Sequence, residues 1–222
     1  MRSLKVKLRI TSNWHREAIG GRWDEIGRLQ FEFLVKQGLK PEHLFLDIGC
    51  GSLRGGVHFI AYLNKGHYFG IEKESSLLEA GRDVELERYG LEHKKPRLFL
   101  IDDFDLAPIQ RGVQFDYMLA QSVFTHLTPD SIELCLMRVL PYLKPDGVFY
   151  ATFYESEEGK IRQGMPHLWR KNERTAVSYP FSMFQTLSES AKARVKYVGD
   201  WKHPRNQKML AFSRAHSAPV DD

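Results

Sequence analysis

Cysteine is scarce in this chain: its 222 residues include two, Cys50 and Cys135. Neither sits in a CxxC or Cys/His pattern, so no disulfide framework and no metal-ligand spacing is present, and a reducing, cytoplasmic setting is the expectation. Long apolar runs are missing as well. No stretch approaches the roughly 20 residues that a membrane span needs. The first nine residues, Met1 to Arg9, interleave apolar side chains with Arg2, Lys5, Lys7 and Arg9 and so lack the continuous core of a signal peptide. There is no internal repeat and no low-complexity run. Acids are thin in the C-terminal third, where twelve Lys or Arg stand against three acids between Lys160 and Arg214. Such a surplus suits an anionic substrate or nucleic acid, and equally a solvated basic surface.

What is present is an ordinary globular composition, 42% hydrophobic and 27% charged, in a length that one domain can fill. Helical and extended patterns alternate along it. Ile26, Leu29, Phe33 and Leu34 recur at helical spacing from Trp23 to Leu39, with Gly38 and Pro41 as the stop. A short apolar strand, His43 to Ile48, runs into a glycine-rich turn. Thereafter the pattern predicts helices over 53–63, 75–89, 129–143 and 181–193. Strands are predicted over 68–71, 97–101, 115–120, 148–153, 194–198 and 208–213. A polar loop of about 25 residues follows the strand at 148–153, long for a connection inside a domain. The alternation implies a doubly wound α/β fold, a mostly parallel sheet with helices on both faces. Residues 1–22 read as an N-terminal arm, 23–214 as the folded domain and 215–222 as a loose tail.

The most informative segment is Leu46-Asp47-Ile48-Gly49-Cys50-Gly51-Ser52-Leu53-Arg54-Gly55-Gly56. A strand entering a glycine turn and then a helix brings backbone N–H groups close to a ligand. About 20 residues later, ending the next strand, stands Glu72, where an acid can bond ribose hydroxyls. A dinucleotide fingerprint wants glycine at the sixth loop position, which is Arg54 here, and no phosphate loop of the GxxxxGK[ST] kind occurs. A nicotinamide oxidoreductase is therefore disfavoured.

Leu46-Asp47-Ile48-Gly49-Cys50-Gly51 resembles the first motif of the class I S-adenosylmethionine-dependent methyltransferases. The resemblance runs from about Trp23 to Phe212. It implies Glu72 on the cofactor ribose and the segment Asp102-Asp103-Phe104 against the adenine. Spacing does not separate the two aspartates; Asp103 is preferred because Phe104 beside it offers a stacking face. Gln121 to Leu127 resembles the loop after the fourth strand, and Leu143-Lys144-Pro145-Asp146-Gly147 the turn into the fifth. Ala18 to Trp23 is similar to a bacterial branch of the family. Membership implies a seven-stranded sheet with an antiparallel last strand. Asp47, Gly49, Cys50, Gly51, Glu72, Asp103, Phe104 and Gln121 are then the expected cofactor residues. Asp47 can also simply tie down the turn, and Cys50 reads as a small turn residue rather than a reactive thiol.

Ligands of such sheets sit outside the carboxyl ends of the strands. That edge gathers Gln121, Ser122, Thr125 and His126 after the fourth strand, and Tyr154 and Glu155 after the fifth. It also gathers the turn from Asp200 to Asn206, with Trp201 and His203. Trp14, His15 and Trp23 are candidates for a lid, and Trp169, Tyr179 and Phe181 for a pocket wall or for core. Methyl transfer asks the protein chiefly to align donor and acceptor and exclude water. A hydroxyl acceptor also benefits from a base near neutral pH, for which His126 and His203 are the candidates; both also have plain structural readings. The loop after the fourth strand lacks the (D/N/S)PP(Y/F) motif of amino-group methylases acting on bases, and Cys135 lies mid-helix between Leu134 and Leu136. A small-molecule or sugar-containing acceptor, methylated on oxygen, is the reading that follows. An RNA methyltransferase using the basic C-terminal third is one alternative. A non-catalytic cofactor-binding protein is the other.

Overall fold

A computed structural model describes residues 13–109, 112–158, 162–163 and 176–215. Most of the N-terminal arm, Trp169 and the tail beyond residue 215 lie outside the described residues. So do the side chains of five of the twelve basic residues counted above, those at 160, 162, 170, 171 and 174. The chain forms two compact units, 1–108 and 109–222.

Among the described residues the first unit starts with a short helix, α1 (Trp14–Ala18), which the sequence pattern did not announce. Helix α2 (Trp23–Lys36) follows, burying Ile26, Gln30 and Leu34 on one face, the i, i+4, i+8 stripe of an amphipathic helix. It ends earlier than expected because Gly38 takes a left-handed conformation. The Gly38 N–H then donates to Val35 and the Leu39 N–H to Leu34, closing the last turn with the paired bonds of a Schellman stop. Three parallel strands form the layer: β1 (Phe45–Ile48) and β3 (Arg97–Leu100) flank β2 (Tyr68–Glu72). Every residue of β1 and β2 is buried, as unbroken apolar runs of a parallel sheet require. Helix α3 (Gly56–Tyr62) begins three residues later than the pattern suggested. The predicted helix over 75–89 is present but interrupted. Helix α4 (Ser75–Ala80) passes into a wide π-helical turn, Gly81–Glu85, and resumes as α5 (Leu86–Tyr89).

The second unit holds β4 (Phe115–Ala120) parallel to β5 (Leu143–Glu155). Between them Thr128 caps α6 (Pro129–Val139), its hydroxyl accepting the Ser131 N–H while Pro129 starts the helix. The expected turn at Lys144-Pro145-Asp146-Gly147 is instead an irregularity within β5, where the register against β4 shifts. Gly147 is required there. A Cβ at that position would lie within 3.0 Å of the Phe115 and Asp116 carbonyl oxygens. Two short strands, β6 (Arg162–Gln163) and β7 (Val177–Tyr179), pair with each other, and β7 extends beside β5. Helix α7 (Phe181–Ser190) leads to β8 (Ala193–Asp200) and β9 (Lys208–Arg214). These two are antiparallel, and β9 runs antiparallel to β5. An aromatic core of Phe124, Phe149, Phe153, Phe184 and Phe212 fills this unit. Among the described residues no helix is long and apolar enough to cross a membrane.

Candidate active site

In the first unit the chain leaves β1 through Gly49 and Gly51, both left-handed, and Leu53 shares that conformation. The loop is anchored from below: the Gly49 and Cys50 N–H groups donate to the Ile71 carbonyl. Glu72 ties it from the side. One carboxylate oxygen accepts the Gly51 N–H at 2.9 Å, and the other accepts the N–H groups of Lys73 and Glu74, each at 2.9 Å. A carboxylate has about four acceptor sites. Three bonds to this carboxylate leave room for a hydroxyl donor, so Glu72 fits a ribose as well as holding its own loop.

Asp47 is buried one strand away, where the Tyr68 hydroxyl donates to it at 2.7 Å. Its carboxyl is pushed up to about 7, chiefly by burial and further by the Glu72 charge; the Tyr68 bond and the Arg54 charge oppose the rise. Cys50 points into the packing beneath the loop. Its sulfur lies 2.9 Å from where a Cβ on Gly70 would stand, so Gly70 is what makes room for it. Burial, together with the nearby Asp47 and Glu72 charges, holds this thiol well above the ordinary range. It is a packing residue. Asp103 is exposed two residues past the Ile101 N–H that closes β3 against Glu72, and its side chain accepts the Asp105 N–H at 3.1 Å in an Asx turn. Phe104 is left-handed and half-buried beside it.

The N-terminal segment packs onto this loop. The Arg54 guanidinium donates to the carbonyls of Ile19 and Gly21, at 3.1 and 3.0 Å, and the Ser52 hydroxyl donates to the His15 carbonyl. The Ile19 side chain comes to 3.2 Å of a Cβ position on Gly51. Glu85, fully buried in the π-helical turn, draws together His15 at 2.5 Å, Arg16 at 2.7 Å and Arg88 at 2.8 Å. Burial alone would raise the Glu85 carboxyl, but hydrogen bonds from His15 and Arg16 and the charges of Arg16 and Arg88 hold it below the usual value. Trp23 is buried in the same cluster, its indole N–H donating to Tyr89 and the Arg16 guanidinium lying over its ring. Of the three lid candidates, only Trp14 is exposed. Glu85, Tyr68 and this role of Arg54 went unnoticed in the sequence, since nothing in spacing distinguishes a buried Glu in a helix from a surface one.

In the second unit the carboxyl ends of β4 and β5 and the turn before β9 meet in one polar cluster. The Ser122 N–H donates to Thr152 at 2.7 Å, and the Thr152 hydroxyl to Gln207 at 2.8 Å. The Gln207 amide donates to Ser122 at 2.8 Å. Gln121 lies 2.6 Å from the Ser122 hydroxyl and 3.3 Å from His203 Nε2, and His203 stacks on Trp201. All of these except Ser122 are buried. Ser122 is left-handed. His126, the other base candidate, is exposed at the end of a short 3-10 turn. Tyr154 is half-buried on β5. Tyr179 belongs to the core, its hydroxyl donating to the Leu127 carbonyl at 2.6 Å, and Phe181 packs edge-on against Tyr197. Cys135 is buried among apolar side chains of α6, which raises its thiol far above the ordinary range. Thr152 and Gln207 are the members the sequence did not single out.

Residues 46–149 match a family model described as a methyltransferase domain. The match begins on β1 and the glycine loop and takes in Glu72 and the loop after β4. Solved structures share the fold over nearly the whole chain. The CcbJ methyltransferase from Streptomyces caelestis is 12% identical with a TM-score of 0.65, covering 86% of this chain and 90% of its own. The magnesium protoporphyrin IX methyltransferase of Synechocystis PCC 6803, solved with bound SAM, is 13% identical with a TM-score of 0.60, covering 96% and 91%. The mitomycin 7-O-methyltransferase MmcR is 18% identical with a TM-score of 0.63, covering 86% and 55%. The chain thus has the Rossmann-like α/β fold that the alternation of strands and helices implied, with an antiparallel C-terminal pair.

Proposed function

We propose that this chain is an S-adenosylmethionine-dependent methyltransferase that acts on a small-molecule or sugar-containing acceptor and methylates it on oxygen. The observation that carries the reading is the chemistry of the edge formed by β4, β5 and the turn before β9. Gln121, Ser122, Thr152, Gln207 and His203 make a connected set, all but Ser122 buried, without a carboxylate or a Lys or Arg side chain among its members. Such a set recognises hydroxyls and carbonyls and offers no counter-charge to a phosphate backbone. The fold relatives that act on magnesium protoporphyrin IX and on mitomycin support an acceptor of this size.

On this reading Glu72 holds the cofactor ribose, Asp103 and Phe104 meet the adenine, and Asp47, Gly49, Cys50 and Gly51 shape the loop beneath it. Bound S-adenosylmethionine supplies a methyl group already activated by its sulfonium. Gln121 faces the cofactor, Tyr154 and Trp201 orient the acceptor, and Trp23 holds the N-terminal segment in place. Exposed His126 is the candidate proton acceptor from the acceptor hydroxyl.

Calorimetric titration with S-adenosylhomocysteine, with NAD as control, is the first test. Binding of the former alone is expected. Glu72→Gln turns one acceptor oxygen into a donor facing backbone N–H groups and should weaken it at least tenfold, the loss of about one charge-assisted bond of 1.5–3 kcal/mol. A screen of hydroxylated small molecules for methyl uptake then tests the acceptor class. Methyl uptake into tRNA or rRNA, with steeply salt-dependent binding, would overturn it.

A further inference from the structure

We propose that Gln207 is a positioning residue for the acceptor edge: its carboxamide holds Ser122 in the left-handed conformation and so fixes the path of the loop after β4. The inference deepens the reading that this edge takes the acceptor, and it rests on that reading for its functional meaning.

The pairing of β4 with β5 ends at Ala120 and Ala151. Two residues on, the Ser122 N–H donates to the Thr152 hydroxyl at 2.7 Å. The chain leaves the sheet there with Ser122 at φ 57°. A side chain disfavours the left-handed region by roughly tenfold, so a serine stays in it only where its surroundings hold it. The hold comes from the residue before β9. Gln207 Oε1 accepts from the Ser122 hydroxyl at 3.1 Å and from the Thr152 hydroxyl at 2.8 Å. Gln207 Nε2 donates back to Ser122 Oγ at 2.8 Å. Gln207 and Thr152 are buried, where water competes little for these bonds. Ser122 is thus gripped at its N–H by Thr152 and at its hydroxyl by both ends of one carboxamide.

What Ser122 holds in turn gives the brace its meaning. Its carbonyl accepts from the Thr125 hydroxyl at 2.9 Å, and its Oγ accepts from the Gln121 amide at 2.6 Å. A shift of Ser122 therefore carries the Gln121 side chain and the loop through Thr125 with it. Gln207 also belongs to the facing segment. The turn before it bears Trp201 and His203 and contains two more left-handed residues, Lys202 and Asn206. The Asn206 N–H closes that turn on the His203 carbonyl. One carboxamide links the two segments that bring Gln121, Trp201 and His203 to the edge. A misplacement of about 1 Å at a reacting site can cost about a hundredfold in rate, so a residue that touches no substrate can still set turnover.

The test is NMR on the full chain. A left-handed residue brings its own amide proton and Hα close together and gives a strong intraresidue NOE between them. The wild type should show it at Ser122, Lys202 and Phe104; its absence at Ser122 would overturn the proposal. Gln207→Met, similar in length but without the carboxamide, should lose it at Ser122 and keep it at Lys202 and Phe104. Retention at Ser122 would overturn the proposal, and so would loss at all three, which marks general unfolding rather than a released brace. Gln207→Glu keeps acceptor oxygens toward both hydroxyls and should retain the Ser122 signal, and its loss there would count equally against the brace. If either Gln207 variant does not fold, Ser122→Ala cuts the same bonds from the other side. The alanine should then leave the left-handed region, and a retained signal would refute the hold. Turnover is the second readout. On an acceptor found in the hydroxyl screen, Gln207→Met should lower kcat by about tenfold or more, and Gln207→Glu should recover most of it. An unchanged kcat in Gln207→Met, or equal loss in both variants, would refute the positioning role. The NOE needs no acceptor, so a failed screen and a failed brace are separate results.

Discussion

Asp47 and Gly51 show how much of the cofactor loop is decided one residue at a time. A carboxyl near 7 in the folded protein and near 3.8 when unfolded binds more protons folded than unfolded between those values. Stability therefore falls as pH rises from about 4 to about 7 and levels off above, the reverse of an ion-paired carboxylate. A three-unit rise corresponds to at most about 4 kcal/mol. Asp47→Asn keeps an acceptor for Tyr68 and removes the charge. Urea denaturation of this variant without cofactor should show stability equal to or above the wild type at pH 8, and a flatter profile between pH 4 and 7. A variant destabilised equally at every pH would refute the assignment. Gly51 is left-handed and faces Ile19; a side chain there adds the left-handed penalty of about 1–2 kcal/mol to a crowded contact. The glycines were legible as a motif, but Tyr68 as the partner of Asp47 was not, because the bond joins two strands 21 residues apart.

At the scale of the element, α1 and the π-helical turn depend on each other. Isolated, a five-residue helix is far too short to be stable in water. Its order comes from His15 and Arg16 on buried Glu85, with Arg88 completing the cluster. Removing one partner of a buried pair costs about 3–5 kcal/mol because the remaining charges stay unmatched. Glu85→Gln should lose at the low end of that range, since both arginines keep some solvent contact, and hydrogen exchange over residues 13–22 should accelerate markedly. Unchanged exchange there would show that α1 is held by packing alone. Because the Glu85 carboxyl is lowered by folding, its contribution is complete above the unfolded carboxylate value and fades as pH falls through the folded one. A continuous helix over 75–89 was the natural expectation from periodicity. The widened turn arises where Gly81 meets Leu53 and Ser52 of the glycine loop, a contact between segments distant in sequence.

For the whole molecule, a ligand that binds only the folded state adds stability by mass action, about 2.7 kcal/mol at a hundredfold excess over its dissociation constant. In a chain of 222 residues that amounts to an increase in Tm of about 5–10 °C. S-adenosylhomocysteine should produce it and NAD should not; equal shifts with both would contradict the cofactor assignment.

The alternation of elements, the glycine loop and its acid were readable from the chain because each is local: periodicity, a turn that needs left-handed residues, and an acid at a fixed strand end. Those features carried the fold class and the proposed cofactor and reaction. Tertiary structure decided the rest. Whether Glu85 is a surface acid or the centre of a buried cluster depends on what a segment 70 residues away places beside it. Whether Gln121, Ser122, Thr152, His203 and Gln207 form one cluster depends on three segments converging. Hydrogen bonds and desolvation act through a few ångströms of space, and only the folded chain sets those distances.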